Sequence, residues 1–586
     1  MYTMRYSVFV FLLFLAGCTS TSRDMSFSKP GKNSYDELKN PARTPVAEWA
    51  NMQGEVNVSF GDDNLRYPKE RVAHLSSSEW IASAWKGEKI HTQILVWTKT
   101  KITGLSVTAG DLVDDKGNSI GSANIKSGFV RYVMTDEFGE GCDKRFPGKY
   151  DSSLVADPID IVDRIDVRSN NVQPVWLTVT VPQDIPAGTY RGSVIVKAGK
   201  EFRMSISVNV SEHTLPPSSD WKYDLDLWQN PDPIAKVHGV KLWSDEHYSL
   251  MRPYYEMLAG AGQKSITAFI IDQPWGPDHV YHRDPSLIEW TRKKDGSWSY
   301  DYSEFDKYIE FVMSCGINKR INCYSMITWD LRFIYFDEAK DDTVSVYAKP
   351  GTQEYLDLWL PMISDFTSHL RAKGWFDKTA IAMDERDMQG MLEVMKLMKS
   401  VDPQWKTALA GNYHREIAMD IFDYCIILGK KFDKDILDAR RSLGLPTTFY
   451  TACGERRPNI HSFSPPAEAA WISWYSAANG LSGYLFWAYN NWTSDVLHDT
   501  RYKTWPAGDC YQIYPGPRSS IRFEKLIEGI QDFEKLRILK EQFIKEKRTD
   551  KLKEIDKLLS GFTLENLEKL PAADMVRQGR EFLSRN

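Results

Sequence analysis

Between residues 91 and 210 apolar and polar positions alternate in short runs: HTQILVWT at 91–98, ITGLSVTA at 102–109, VWLTVTVP at 175–182, YRGSVIVKA at 190–198 and FRMSISVNV at 202–210. A period of two, rich in β-branched residues and broken by Gly, Pro, Asn and Asp, is the signature of strands joined by tight turns. It predicts a β-sandwich domain over residues 46–212. The stretch SEHTLPPSSD at 211–220 ends the alternation with two prolines and small polar residues, and a domain boundary belongs there. Beyond it, short apolar runs alternate with 3.6-residue periodicities. Strands are predicted at 222–228, 265–271, 319–326, 378–383, 406–411, 424–428, 446–451 and 482–488, and helices at 244–262, 303–315, 353–373, 387–400, 415–421, 432–443, 466–479 and from 519 onward. Eight strands alternating with eight helices is the count of a (β/α)8, TIM-like barrel, placed over residues 221–530. After Ser519, the positions Phe523, Leu526, Ile527, Ile530, Phe533, Leu536, Leu539 and Phe543 form an apolar stripe with Lys, Arg and Glu between them. That stripe predicts an amphipathic helix on the barrel's outside, leading into a C-terminal helical extension over 531–586.

The first residues follow neither period. MYTMRYSVFVFLLFLAGCTSTS carries one early Arg and an apolar run from Val8 to Ala16, too short to span a bilayer, which reads as a signal peptide over residues 1–17. Leu15-Ala16-Gly17-Cys18 resembles a bacterial lipoprotein box, which implies cleavage before Cys18, lipidation of its thiol and a lipid-anchored place in the bacterial cell envelope. Residues 18–45, rich in Ser, Lys and Asn, suit a flexible tether. With 586 residues the chain exceeds one hydrophobic core, and a net charge of -6 offers no basic face for nucleic acid. The other cysteines, Cys142, Cys315, Cys323, Cys425, Cys453 and Cys510, form no Cys-x-x-Cys unit and are expected mostly as buried thiols. His279 and His282 lack the further ligands of a zinc site, so no metal or cofactor is expected.

Candidate chemistry centres on IAMDERD, residues 381–387. Asp-Glu also occurs at Asp36-Glu37, Asp136-Glu137, Asp245-Glu246 and Asp337-Glu338, which fall respectively in the tether, a sandwich loop, the start of a helix, and a helix or loop after the third barrel strand. Asp384-Glu385 alone follows a predicted barrel strand, the fourth, at the end where barrel chemistry gathers. Neighbouring residues in a regular strand point to opposite faces, so both acids can enter one site only if the chain turns as it leaves the strand. The competing reading makes Asp384 the cap of the following helix. Of 20 Trp in the chain, 15 lie between Trp221 and Trp505, and aromatic faces stack on the apolar face of sugar rings. Trp275, Tyr324, Asn412, Tyr413, Tyr450, Trp487, Tyr489, Asn491 and Trp492 follow or end predicted barrel strands and are the candidate sugar-binding residues; Trp487 and Tyr489, two apart, are expected to face inward together.

The lipobox, the sandwich, AIAMDE at the fourth strand, GYLFWAYNNW at 483–492 and SIRFEKLIEGIQDFEKL in the tail together resemble glycoside hydrolase family 123, the β-N-acetylgalactosaminidases, over nearly all of the mature chain. The resemblance implies a retaining, exo-acting enzyme on terminal β-GalNAc, with the substrate's acetamido group as nucleophile. Glu385 would then be the general acid and base, and Asp384 would orient and stabilise the acetamido group. On the residues alone, a barrel glycosidase of other specificity and a surface glycan-binding lipoprotein that does not cut remain open.

Overall fold

The computed structural model describes residues 35–42, 44–136, 152–276, 283–502 and 504–586. The predicted leader with Cys18, together with Glu137, Cys142, His279 and His282, lies outside the described residues. No helix among the described residues is long and apolar enough to cross a membrane.

A β-rich region comes first. One five-stranded sheet runs in the order Val56–Gly61, Lys89–Thr98, Asn171–Thr180, Ile125–Asp136, Ser152–Asp160, and a second is centred on Gly188–Lys197 and Glu201–Thr214. Inward residues of both sheets, among them Ile94, Phe129, Val175, Val194 and Met204, make the core between them. The alternate positions Val130, Tyr132 and Trp176 form a second apolar layer with Ile521 of the tail. The five-stranded sheet is therefore covered on both faces, which is why HTQILVWT is buried along its whole length. Glu37, from the stretch expected as tether, is buried between Lys69 and Arg131, 2.8 Å from the latter.

Eight parallel strands follow, one to eight in chain order: Asp224–Leu227, Ser265–Phe269, Arg320–Tyr324, Thr379–Asp384, Lys406–Gly411, Asp423–Ile427, Thr447–Tyr450 and Gly483–Phe486. Neighbours pair in sequence from strand two to strand eight, and eight pairs with one. Strands one and two close in on each other where Lys264 donates its N–H to the Leu225 carbonyl at 2.9 Å, giving a nearly closed barrel, the arrangement of a TIM-like fold. Alternation is strict in strand four: Ile381 and Met383 face the surrounding helices, and Ala380 and Ala382 face inward. Ala408 and Ala410 do the same on strand five, so small side chains leave room in the barrel for rings. The floor is polar. Arg320 grips Asp224 at 2.8 and 2.5 Å and lies 3.2 Å from Asp423, while Asp226 accepts from Gln263 and Asn322.

Three features depart from the sequence reading. The loops after strands two and three build a four-stranded sheet from Glu289–Arg292, Trp298–Asp301, Arg332–Asp337 and Asp342–Tyr347, so Asp337 ends a strand there. The tail helix, Ile521–Lys545, expected as an amphipathic helix on the barrel's outside, buries charged positions as well as apolar ones. It is wedged between barrel and sandwich, and Arg522 and Lys525 reach Asp157 and Asp63, each at 2.9 Å. Among the cysteines, Cys315, Cys323, Cys425 and Cys510 are free and buried, but Cys453 is disulfide-bonded.

Candidate active site

The carboxyl ends of the strands open into a cleft of about 170 Å³. Asp384 closes strand four with its side chain, like those of Ala380 and Ala382, on the barrel's inner side, and by parity Glu385 would point away. Glu385 instead has φ +37°, in the left-handed region that non-glycine residues rarely adopt. That turn brings its carboxylate to the mouth of the same cleft that Asp384 lines. Its N–H donates to the Ala410 carbonyl at 2.8 Å. Gly411 makes room: a Cβ there would stand 3.2 Å from the Glu385 nitrogen. The helix after the turn is capped by Asp387, whose side chain accepts from Gly390 N at 2.8 Å. The capping role considered for Asp384 thus belongs to Asp387, and Asp384 is left for the cleft.

The two acids have different surroundings. Asp384 is 6% exposed. Its Oδ2 accepts from the indole nitrogens of Trp275 at 2.7 Å and Trp329 at 3.2 Å, and its Oδ1 lies 3.0 Å from Arg386 Nη2. Glu385 is exposed to solvent, and its Oε1 accepts from the Tyr450 hydroxyl at 2.6 Å. Burial, and then the neighbouring Glu385 carboxylate, push the Tyr450 hydroxyl well above its ordinary pKa, so it stays a donor. One carboxylate is therefore fixed among donors, and the other keeps Oε2 available for a proton at the open end.

Aromatic rings form the walls. Trp228, the first residue past strand one, stacks on Trp275 with centroids 5.2 Å apart, and Tyr324 backs both at 4.6 and 5.4 Å. Trp487 packs edge-on against Trp505 and donates to Asp509 at 3.1 Å, and Leu485, Ala410 and Ala452 complete the apolar lining. Such walls suit the apolar face of a sugar, and the buried indole Nε1 of Trp228, which has no hydrogen-bond partner, offers a donor to a ligand.

Of the sequence candidates, Asp384, Glu385, Trp275, Tyr450 and Trp487 line the cleft, and Tyr324 supports its wall. Five others do not line it. Strand eight stops at Phe486, so the two-residue alternation that would have brought Tyr489 inward beside Trp487 ends before it, and the Tyr489 hydroxyl donates to the Tyr254 carbonyl deep in the core. Trp492 is buried with its indole on the Ile513 carbonyl, and Asn491 is packed behind it with its N–H on Cys510. Tyr413 turns outward to Asp433 at 2.9 Å, and Asn412 is exposed, its carbonyl taking the Tyr424 hydroxyl. Sequence reasoning missed Trp228, Trp329 and Trp505. Trp228 carried a signal, as the last residue of a predicted strand; the other two lie in long loops where no period fixes direction.

Among the described residues, no group of His, Cys, Asp and Glu is arranged to hold a metal ion. The model of the glycoside hydrolase 123 catalytic domain matches residues 228–539, more than half of the chain, and that of the glycoside hydrolase 123 N-terminal domain matches residues 60–198. No curated protein matches the chain. A solved family 123 glycoside hydrolase from Clostridium perfringens, described for glycolipid glycan hydrolysis, is similar at 25% identity and a TM-score of 0.82, over 91% of this chain and 99% of that one. A family 39 glycoside hydrolase from Bacteroides cellulosilyticus also matches, at 9% identity and a TM-score of 0.33, over 78% of this chain and 82% of that one.

Proposed function

The chain belongs to glycoside hydrolase family 123, and from that premise we propose that it removes terminal β-linked N-acetylgalactosamine from glycans or glycolipids as an exo-acting, retaining hydrolase. The observation that carries the reading is the turn at Glu385, which sets two adjacent carboxylates on one cleft. Two acids from consecutive residues approach a sugar side by side rather than from opposite sides of the scissile bond, which suits a nucleophile supplied by the substrate.

Asp384 accepts the acetamido N–H and turns the carbonyl oxygen toward the anomeric carbon. Glu385 gives its proton to the glycosidic oxygen as that bond breaks and the carbonyl oxygen closes on the anomeric carbon, forming an oxazolinium ion whose positive charge Asp384 offsets. Glu385, now a carboxylate, takes a proton from the water that opens the ring, so the sugar leaves with its configuration retained. Tyr450 holds Oε1 throughout, keeping the carboxylate oriented while Oε2 cycles. The reading extends to location: with the predicted lipidation at Cys18 the catalytic body is tethered to a membrane of the cell envelope, where glycolipid glycans are within reach.

The test is aryl-glycoside hydrolysis. Aryl β-GalNAc is expected to be cleaved far faster than aryl β-GlcNAc and the aryl β-galactoside that lacks the acetamido group. Glu385→Gln and Asp384→Asn are each expected to lose activity by about 100-fold or more with the fold intact. Efficient cleavage of the plain galactoside, or near-normal turnover by either variant, overturns the proposal.

A further inference from the structure

We infer that Arg386 is a positioning residue that keeps Asp384 ionised and correctly aimed for the reaction, an inference that rests on the role given to Asp384 above. Its guanidinium Nη2 is 3.0 Å from Asp384 Oδ1, and both side chains are 9% exposed. Its Nε donates to the Ile327 carbonyl at 3.0 Å, and its guanidinium carbon lies over the Trp329 ring, 5.4 Å from the centroid. Trp329 is the same indole that reaches Asp384 Oδ2. Arg386, Trp329 and Asp384 therefore close a triangle in which the cation fixes the ring, the ring fixes one carboxylate oxygen, and the cation sits against the other.

Arg386 is not among the residues that line the cleft, so it acts from behind. The Nη2–Oδ1 approach lacks the alignment of a hydrogen bond, and neither atom has another hydrogen-bond partner. What Arg386 supplies is charge, and it leaves Oδ1 able to accept from a ligand N–H. The charge matters because of what else surrounds Asp384. Trp275 and Trp329 are neutral, and burial keeps the hydroxyls of Tyr324 and Tyr450 protonated. The adjoining charges are acids: Glu385 is the next residue, and Glu455 on the loop after strand seven, whose carboxyl burial pushes up, lies within electrostatic range of Glu385 and of Asp509 behind Trp487. Arg386 makes the only ion pair found for either Asp384 or Glu385 among the described residues. A buried carboxylate in acidic company without its cation takes up a proton more readily. Lysine retains a charge at this position but not the planar fork that also meets Trp329 and Ile327.

The pH dependence of kcat/KM, measured on the aryl glycoside that the wild-type enzyme cleaves, tests the inference with Arg386→Gln and Arg386→Lys, each checked for its fold by near-ultraviolet circular dichroism. Since Asp384 must be ionised, the acidic limb of the profile is expected to move to higher pH by about one unit or more in Arg386→Gln and to stay near its wild-type position in Arg386→Lys, with a lowered plateau. A folded Gln variant that loses activity equally at every pH with the limb unmoved overturns it, because a merely structural role predicts that result. Should the Gln variant not fold, Arg386→Met, equally uncharged, decides by the same criterion: a limb displaced upward by about a unit supports the charge role, and an unmoved limb contradicts it. If aryl β-GalNAc proves to be the wrong substrate, the specificity reading falls while the limb on the true substrate still tests Arg386. If Glu385→Gln is inactive but the limb does not move, only the Arg386 role falls.

Discussion

The turn at Glu385 is where the site is made. Its positive φ is tolerated because Gly411 on the next strand leaves space, with a Cβ at that position coming within 3.2 Å of the Glu385 nitrogen and 3.4 Å of its Cα. Gly411→Ala is therefore expected to shift the Glu385 backbone by a few tenths of an ångström and lower kcat by about 10-fold or more, at a stability cost of roughly 1–3 kcal/mol. Paired measurements of kcat and of urea denaturation check this; a variant with unchanged kcat would show that the turn does not depend on that gap. A second residue-scale prediction concerns the barrel floor. Burial, and next the charge of Asp423, push the Asp226 carboxyl up to about 7. An unfolded Asp releases its proton near pH 4. The stability contributed by protonated Asp226 is thus fully present below about pH 4 and is lost as pH rises through about 7. Asp226→Asn, which stays neutral, is expected to gain stability relative to wild type across that window; denaturation midpoints at pH 5 and pH 8 check it, and a difference that does not grow with pH contradicts it.

Among the elements, the tail helix shows what a hydropathy pattern conceals. Its apolar stripe was legible, and Phe523, Leu526, Ile530 and Leu539 are buried as the period requires. The charges between them gave only an amphipathic helix on the barrel's outside, because periodicity registers polarity and not partners. Arg522, Lys525 and Lys535 instead meet Asp157, Asp63 and Glu88 from the sandwich, all in low-dielectric surroundings. Removing one member of such a pair strands the other. Arg522→Ala is expected to cost about 3 kcal/mol or more in urea denaturation, although Arg66 and Tyr514 remain on Asp157. The exposed Lys540→Ala is expected to stay within about 0.5 kcal/mol. Equal effects from the two would contradict the buried-interface account. The barrel strands were legible because each is a short apolar run between helices, and strand four could be placed at Asp384. The small sheet grown from the loops after strands two and three was not, since its strands interrupt the βα rhythm and carry aromatics that a helix would also bury, such as Trp290 and Phe333. For the same reason the alternation that located Trp487 failed at Tyr489, three residues past the last hydrogen-bonded position of strand eight.

For the whole molecule, the tail helix ties the sandwich to the barrel, and the barrel presents the paired acids at one mouth among tryptophans set just past the ends of strands one and eight and on the loops after strands two, three and eight. The family could be read from the sequence because its most specific segments, AIAMDE and the strand-eight-to-tail region, lie where the fold concentrates chemistry and packing. The sugar-binding wall could not be read completely, because loops such as those bearing Trp329 and Trp505 set direction by tertiary contact alone. The account's central claim is that the substrate's own acetamido oxygen is the nucleophile. It is tested most directly by kcat/KM for aryl β-GalNAc substrates in which the N-acetyl group carries one, two or three fluorines. Fluorine withdraws electrons from the carbonyl oxygen, so a steep decline along the series is predicted; rates indifferent to fluorination, with a sugar trapped covalently on a carboxylate of the protein, would contradict it.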